Sequence, residues 1–271
     1  YKRQPPVSPE ANLGVLFLHN EGYSTMCGHG IIGLTKVALE TGLLPMTEPE
    51  TEVKIDTPAG LVTAQARIVG RQVQSVRFRN VPSFVLALDQ TVEVPGLGVI
   101  SYDLAFGGAF YAYLRASDVG LTCTPDNFRA FIETGLAIKQ AIVASREIPH
   151  PFEKDLSFLY GPIFVGPPLG EGAHSRNVCV FAEGEVDRCP TGTGVSGRLA
   201  IHYARGEIDL DEPIVVESII GSRFTGRIVE STTFGPHPAI IPEVEGRAYI
   251  TGRHEFLIDP GDPLRHGFIL R

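Results

Sequence analysis

Two short stretches carry the residue types from which proton transfer or covalent chemistry is built. Met26-Cys27-Gly28-His29-Gly30 sets a thiol among glycines and a histidine, and Asp187-Arg188-Cys189-Pro190-Thr191-Gly192-Thr193-Gly194 sets a carboxylate, a second thiol and two hydroxyls in a similar turn. Each turn runs into a helical pattern, with apolar residues at Ile31, Leu34, Val37 and Ala38 in the first and at Val195, Leu199 and Ile201 in the second. A helix N-terminus exposes unpaired N–H groups and a partial positive charge. It holds a carboxylate or phosphate, and it lowers a thiol there from its usual pKa of about 8.5. Cys27 therefore reads as a base or nucleophile. The bland alternative, a small cysteine packed at a turn, is disfavoured by the flanking glycines and by His29.

In the second turn the residue equivalent to Cys27 is Thr191, whereas Cys189 precedes Pro190 and reads as a packing residue. Asp187 is expected to face a cationic amine, with capping of the helix approach as the competing role. Gly28, Gly192 and Thr193 offer backbone N–H groups to a carboxylate, against a plain N-cap reading. The glycines are not a nucleotide signature, since neither the acidic residue that follows GxGxxG nor a Gly-Lys-Ser/Thr is present. His19, His150, His174, His202, His237, His254 and His266 have no metal-ligand spacing, so no metal is expected. Phe106-Gly107-Gly108-Ala109-Phe110 brings backbone close either to a ligand or to a buried neighbour.

The two turns belong to a repeat. Laying residues 16–44 on residues 180–208, an offset of 164, gives six identities: Phe17/Phe181, Glu21/Glu185, Gly28/Gly192, Gly30/Gly194, Gly33/Gly197 and Gly42/Gly206. Each copy reads strand, glycine turn, helix and C-terminal glycine. Further strands are expected over residues 52–55, 61–68, 74–78, 213–219, 223–229 and 247–251. A helix is expected after Thr124-Pro125, with apolar positions Phe128, Ile132, Leu136, Ile142 and Val143. The pattern predicts an α/β (α+β) fold of two pseudo-symmetric halves, with antiparallel sheets around a central helix. The first half is residues 1–98 with 252–271, and the second is 99–251.

Composition narrows the function classes. The 271 residues carry 23 Lys and Arg against 31 Asp and Glu, a net charge of −8 with no basic block, which excludes a nucleic-acid surface. No apolar run reaches the length of a membrane-spanning helix, and no signal-peptide pattern follows Tyr1. Four scattered cysteines read as free thiols in a reducing cytoplasm.

On the paired turns, and on His19-Asn20-Glu21-Gly22-Tyr23, Gly107-Gly108-Ala109-Phe110-Tyr111-Ala112, Glu217-Ser218 with Gly221, and residues 259–267, the chain resembles the proline racemase family over nearly its whole length. The resemblance implies a diaminopimelate-epimerase-like fold with the active site in the cleft between the halves. Racemases and epimerases of that family carry a cysteine at both helix N-termini, one removing the Cα proton and the other returning a proton on the opposite face. Here the pair is Cys27 and Thr191, the combination of trans-3-hydroxy-L-proline dehydratases, which need only one thiol. The resemblance implies cofactor-independent dehydration of trans-3-hydroxy-L-proline. Cys27 and Thr191 stand at the catalytic positions, and Gly28, His29, Asp187, Gly192 and Thr193 hold the substrate. Metal and cofactor are expected to be absent, the partner is a small molecule, and a homodimer is an open expectation.

Two alternatives stand. A two-residue shift of the second turn would make Cys189 the second thiol and the protein a 4-hydroxyproline epimerase or proline racemase, although Pro190 opposes the shift. Loss of the second thiol could instead leave an inactive imino-acid binding protein. Relatives normally begin with a further segment bearing an Asp-x-His-Thr-Gly-Gly-Glu-type motif, which is expected to precede Tyr1.

Overall fold

The computed structural model describes residues 2–4, 6–19 and 22–267. The first half of the chain supplies β1 (Lys2–Gln4), β2 (Leu13–His19), β3 (Gly22–Ser24), α1 (Gly28–Glu40), β4 (Glu50–Thr57), β5 (Gly60–Val69) and β6 (Gln72–Arg79). Three further strands follow: β7 (Ser83–Val94), β8 (Gly98–Phe106) and β9 (Phe110–Arg115). Then come α2 (Phe128–Ser145), β10 (Leu159–Gly166), β11 (Ser175–Phe181), β12 (Glu185–Val186), α3 (Gly192–Ala204), β13 (Ile214–Glu217), β14 (Arg223–Phe234) and β15 (His237–Gly246).

The repeat is a repeat of topology. β2 pairs antiparallel with β3 and parallel with β4, and the ladder continues antiparallel through β5 and β6. β11 pairs antiparallel with β12 and parallel with β13, and continues antiparallel through β14 and β15. The two helices match residue for residue, since 28 + 164 = 192 and 40 + 164 = 204. β6 and β15 pair antiparallel and join the two series into one sheet.

Beyond β11 the sheet runs through β10, β9, β8 and β7, and β7 pairs back onto β15, closing an eight-strand ring. α2 touches β7 on one side of the ring and β10 and β11 on the other, so it fills the interior. Alternation along β9 separates the two faces of the ring. Phe110, Ala112 and Leu114 join a core with Phe131, Ile138 and Ile142 of α2, while Tyr111 and Tyr113 pack with Ile163, Cys179 and Ile201 of α3 on the opposite face. α3 is buried from Gly192 to Ile201 because its other side meets the first half, where Val195 and Leu199 join the core built from β2, α1 and β4–β6.

Several expectations shift. The helix after Pro125 follows a 3₁₀ turn at Pro125–Asn127 and buries Phe131, Gly135, Ile138 and Ile142, leaving the apolar Phe128 and Val143 exposed. The strand expected at 247–251 is absent, and the last strand among the described residues is β15, whose Pro238 and Pro242 disguise it in the sequence. Pro242 is tolerated beside the bulge between Ile228 and Glu230. Residue 98, the expected end of the first half, begins β8 at the tip of the β7–β8 hairpin, both strands of which pack in the core around α2. Residues 252–267 are exposed and carry no helix or strand. Asn20 and Glu21 lie outside the described residues.

Candidate active site

Cys27 and Thr191 are the N-cap residues of α1 and α3, and neither side chain caps its helix. The two helix starts touch. A Cβ on Gly28 would stand 2.8 Å from the Gly192 Cα, and one on Gly192 would stand 2.9 Å from the Gly28 Cα. Only glycine at both places permits this approach, and it brings the first turns of both helices, whose N–H groups have no acceptor within the helix, together. The β8–β9 turn buttresses α3 from behind, since a Cβ on Gly107 would come within 2.1 Å of the Thr193 carbonyl oxygen. Thr25 Oγ1 donates to the Gly108 carbonyl at 2.7 Å, tying the two turns together. The Gly107-Gly108 pair therefore serves helix packing and not a ligand.

Between the helix starts lies a cavity of about 110 Å³ lined by Cys27, Gly28, His29, Asp187, Thr191, Gly192 and Thr193, the seven residues singled out from the sequence. Cys189 does not line it. Phe17, Phe181, Tyr111 and Tyr160 also line it, and sequence reasoning assigned none of them a place there. A signal existed for two: Phe17 and Phe181 are an identical pair of the repeat. Tyr111 hydrogen-bonds Thr193 Oγ1 at 2.7 Å, and burial holds its phenol well above the ordinary range. Nothing in the sequence marks Tyr160. A larger hollow of about 580 Å³ lies along Arg198, His202 and Arg205, but it contains none of these groups. Arg205 there is already paired with Asp89 and Asp103.

The polar side chains form one network. Thr191 Oγ1 donates to Asp187 Oδ2 at 2.9 Å, and the Cys189 N–H donates to Asp187 Oδ1 at 3.1 Å. Asp187 is thus both a cap of the turn and a wall of the cavity. Thr191 has φ = 67°, an uncommon conformation for a β-branched residue, and its hydroxyl is held on Asp187. His29 Nδ1 sits 3.1 Å from Cys189 Sγ and 3.7 Å from Asp187 Oδ1. Cys189 is more than a packing residue, since its sulfur also accepts the Thr191 N–H at 3.3 Å. Burial and the Asp187 charge push the Cys189 thiol up to about 12, so it is a neutral S–H at neutral pH. Burial opposes a charge on His29, but Cys27, through its charge and a hydrogen bond, and the bond to Cys189 together push the ring pKa up. The buried Cys123 and Cys179 stand apart, both raised by burial.

The proline racemase family model matches residues 3–269 of the chain. The chain belongs to the proline racemase family. Among its relatives, a trans-3-hydroxy-L-proline dehydratase of Colwellia psychrerythraea (strain 34H) is 49% identical over 262 residues, 97% of this chain and 74% of the relative. A 4-hydroxyproline 2-epimerase of Streptosporangium roseum is 43% identical, covering 98% of this chain and 80% of the relative. The crystal structure of a hydroxyproline epimerase from Agrobacterium vitis, with trans-4-hydroxy-L-proline bound, superposes with a TM-score of 0.94 at 35% identity. That match covers 99% of this chain and 77% of the epimerase. Dehydratases and epimerases of the proline racemase family thus lie at comparable distances, and the residues of the site must separate the two activities. No helix among the described residues is long and apolar enough to cross a membrane.

Proposed function

We propose that the protein is a hydro-lyase that converts trans-3-hydroxy-L-proline to Δ1-pyrroline-2-carboxylate and water, with Cys27 and Thr191 at the two catalytic positions. One observation carries the reading: of the two pseudo-symmetric helix starts that meet at the cavity, one presents a thiol, and the other presents a hydroxyl already donated to Asp187. A racemase needs an acid on each face of Cα, and a threonine hydroxyl is too weak an acid to serve. Elimination needs only one base.

In this reading the substrate carboxylate sits between the helix starts and accepts N–H groups of Gly28, Gly192 and Thr193, which also stabilise negative charge as Cα loses its proton. Asp187 and His29 face the ring nitrogen. Cys27 thiolate takes the Cα proton, and the C–H electron pair becomes the Cα–Cβ double bond. The C3–O bond breaks, and the hydroxyl leaves as water with a proton from the new Cys27 thiol or from His29, since in the trans-3-hydroxy-L isomer the hydroxyl shares a ring face with the Cα proton that Cys27 takes. The enamine then tautomerises to the imine. The relatives named dehydratases support this reading, as does the small cavity, which suits one five-membered ring. The cysteines found as free thiols agree with an intracellular, reducing location.

Proton NMR in D₂O tests it, with protein expressed from the complete gene and separate tubes of trans-3-hydroxy-L-proline, trans-4-hydroxy-L-proline and L-proline. Conversion of the first alone to Δ1-pyrroline-2-carboxylate is expected. Epimerisation of either of the others with deuterium at Cα overturns the Thr191 argument, and silence in all three tubes favours an inactive imino-acid binder.

A further inference from the structure

We propose that His29, Asp187 and Cys189 form a binding site for a thiophilic divalent cation of the zinc class, at the back wall of the substrate cavity. One nitrogen, one oxygen and one sulfur donor lie within 4.8 Å of one another. Zinc–sulfur and zinc–nitrogen bonds of about 2.3 and 2.0–2.1 Å in a tetrahedron put donor atoms roughly 3.4–3.6 Å apart. The Sγ–Nδ1 and Nδ1–Oδ1 separations of 3.1 and 3.7 Å bracket that value. Asp187 and Cys189 are buried, and their orientations are fixed by partners other than the cation. The Thr191 N–H points at the sulfur, the Thr191 hydroxyl at Oδ2 and the Cys189 N–H at Oδ1. These are the outer contacts that aim metal ligands and tune their basicity. The three residues span more than 150 positions of sequence, which is why no ligand spacing shows there.

Binding forms a metal–sulfur bond as the Cys189 thiol gives its proton to water, and Nδ1 coordinates once any proton it carries has also left. The three side chains leave a fourth position of the tetrahedron for water. Soft-donor character comes from Cys189, and a hydroxyl in its place would remove the sulfur ligand. A filled site uses the two side chains that face the substrate nitrogen, so cation and substrate exclude each other. That consequence rests on the dehydratase reading, whereas the metal site itself does not.

The test is a Co²⁺ titration of chelator-treated protein followed by optical absorption, with no substrate present. A thiolate-to-cobalt charge-transfer band is expected in the wild type and in Cys27→Ser, and it is expected to vanish in Cys189→Ser. His29→Gln, at a half-exposed side chain, tests the site without disturbing the buried thiol. It should weaken Co²⁺ by more than the ~10–100-fold that loss of an outer partner costs. Absence of the band in wild type, its survival in Cys189→Ser, or its loss in Cys27→Ser instead overturns the proposal. Because the readout is metal binding alone, either result leaves the NMR test of the dehydratase to stand or fall by itself.

Discussion

At the scale of single residues, the second helix start decides what the site can do. Cys27 and Thr191 are related by the repeat, and both open the cavity, but only Cys27 offers a proton acceptor of useful basicity. Cys27→Ala should therefore lower dehydration by at least ~10²–10⁴, the contribution of a positioned general base, with imino-acid binding retained; initial rates and calorimetry measure the two. The converse change is more diagnostic. Thr191→Cys restores a thiol on the opposite face and relieves β-branching at a φ of 67°, so it should fold. It should gain deuterium exchange at Cα of trans-4-hydroxy-L-proline or L-proline, measured by NMR in D₂O. If it dehydrates as before and exchanges nothing, the opposite face is closed for reasons other than residue 191. Cys189 is the instructive neighbour. Its sequence context marks it as packing, and it is buried, but it binds His29 and receives the Thr191 N–H, so it supports the site without facing the cavity.

The elements matter because two helices have to start at one point. Gly28 and Gly192 meet backbone to backbone, and Gly28 also faces the Phe78 ring, so Gly28→Ala forces the starts apart. Overpacking of this kind costs about 1–3 kcal/mol of stability. The larger effect should fall on turnover, by about 100-fold, because in the proposed mechanism the N–H groups of both helices hold one carboxylate jointly. Urea midpoints and steady-state rates separate the two losses. These helix starts were legible in the sequence because glycine turn, helix and capping glycine recur at one offset, and Gly42 and Gly206 both adopt left-handed φ. The short apolar runs at β2, β4, β5 and β6 were legible as strands, whereas β1, β3 and the ring strands β7–β10 were not expected. β15 was not, because Pro238 and Pro242 break the local strand signal and only its pairing with three neighbouring strands sustains it. The buried face of α2 was blurred in the sequence because apolar residues, Phe128 and Val143, also occupy its exposed flank while Gly135 lies on the buried one. The Asp187–Cys189–His29 network was illegible for another reason: the contact of His29 with the other two residues crosses the cleft, and no local pattern encodes such a contact.

For the whole molecule, the two topological copies share one continuous sheet through β6 and β15, while the additional strands β7–β10 close a ring around α2 that the first half lacks. The second half also seals charges away from water. Glu217, at the end of β13, is buried and accepts the N–H groups of Leu169 and Gly170 while bridging Arg176 and Arg223. Burial alone would raise its pKa, but these hydrogen bonds and the two guanidinium groups outweigh that and bring it to about 2. The unfolded chain takes up this proton near the ordinary glutamate value of 4.5, so between those values the unfolded state binds more protons than the folded one. The stabilisation from Glu217 is therefore complete above about pH 4.5 and is lost as the pH falls toward 2. Glu217→Gln should cost about 3 kcal/mol at neutral pH, because it strands buried Arg176 without its counter-charge. It should also flatten the acid limb of stability against pH, which urea midpoints across that window measure. An acid limb of unchanged steepness in Glu217→Gln would place the acid sensitivity on other carboxylates.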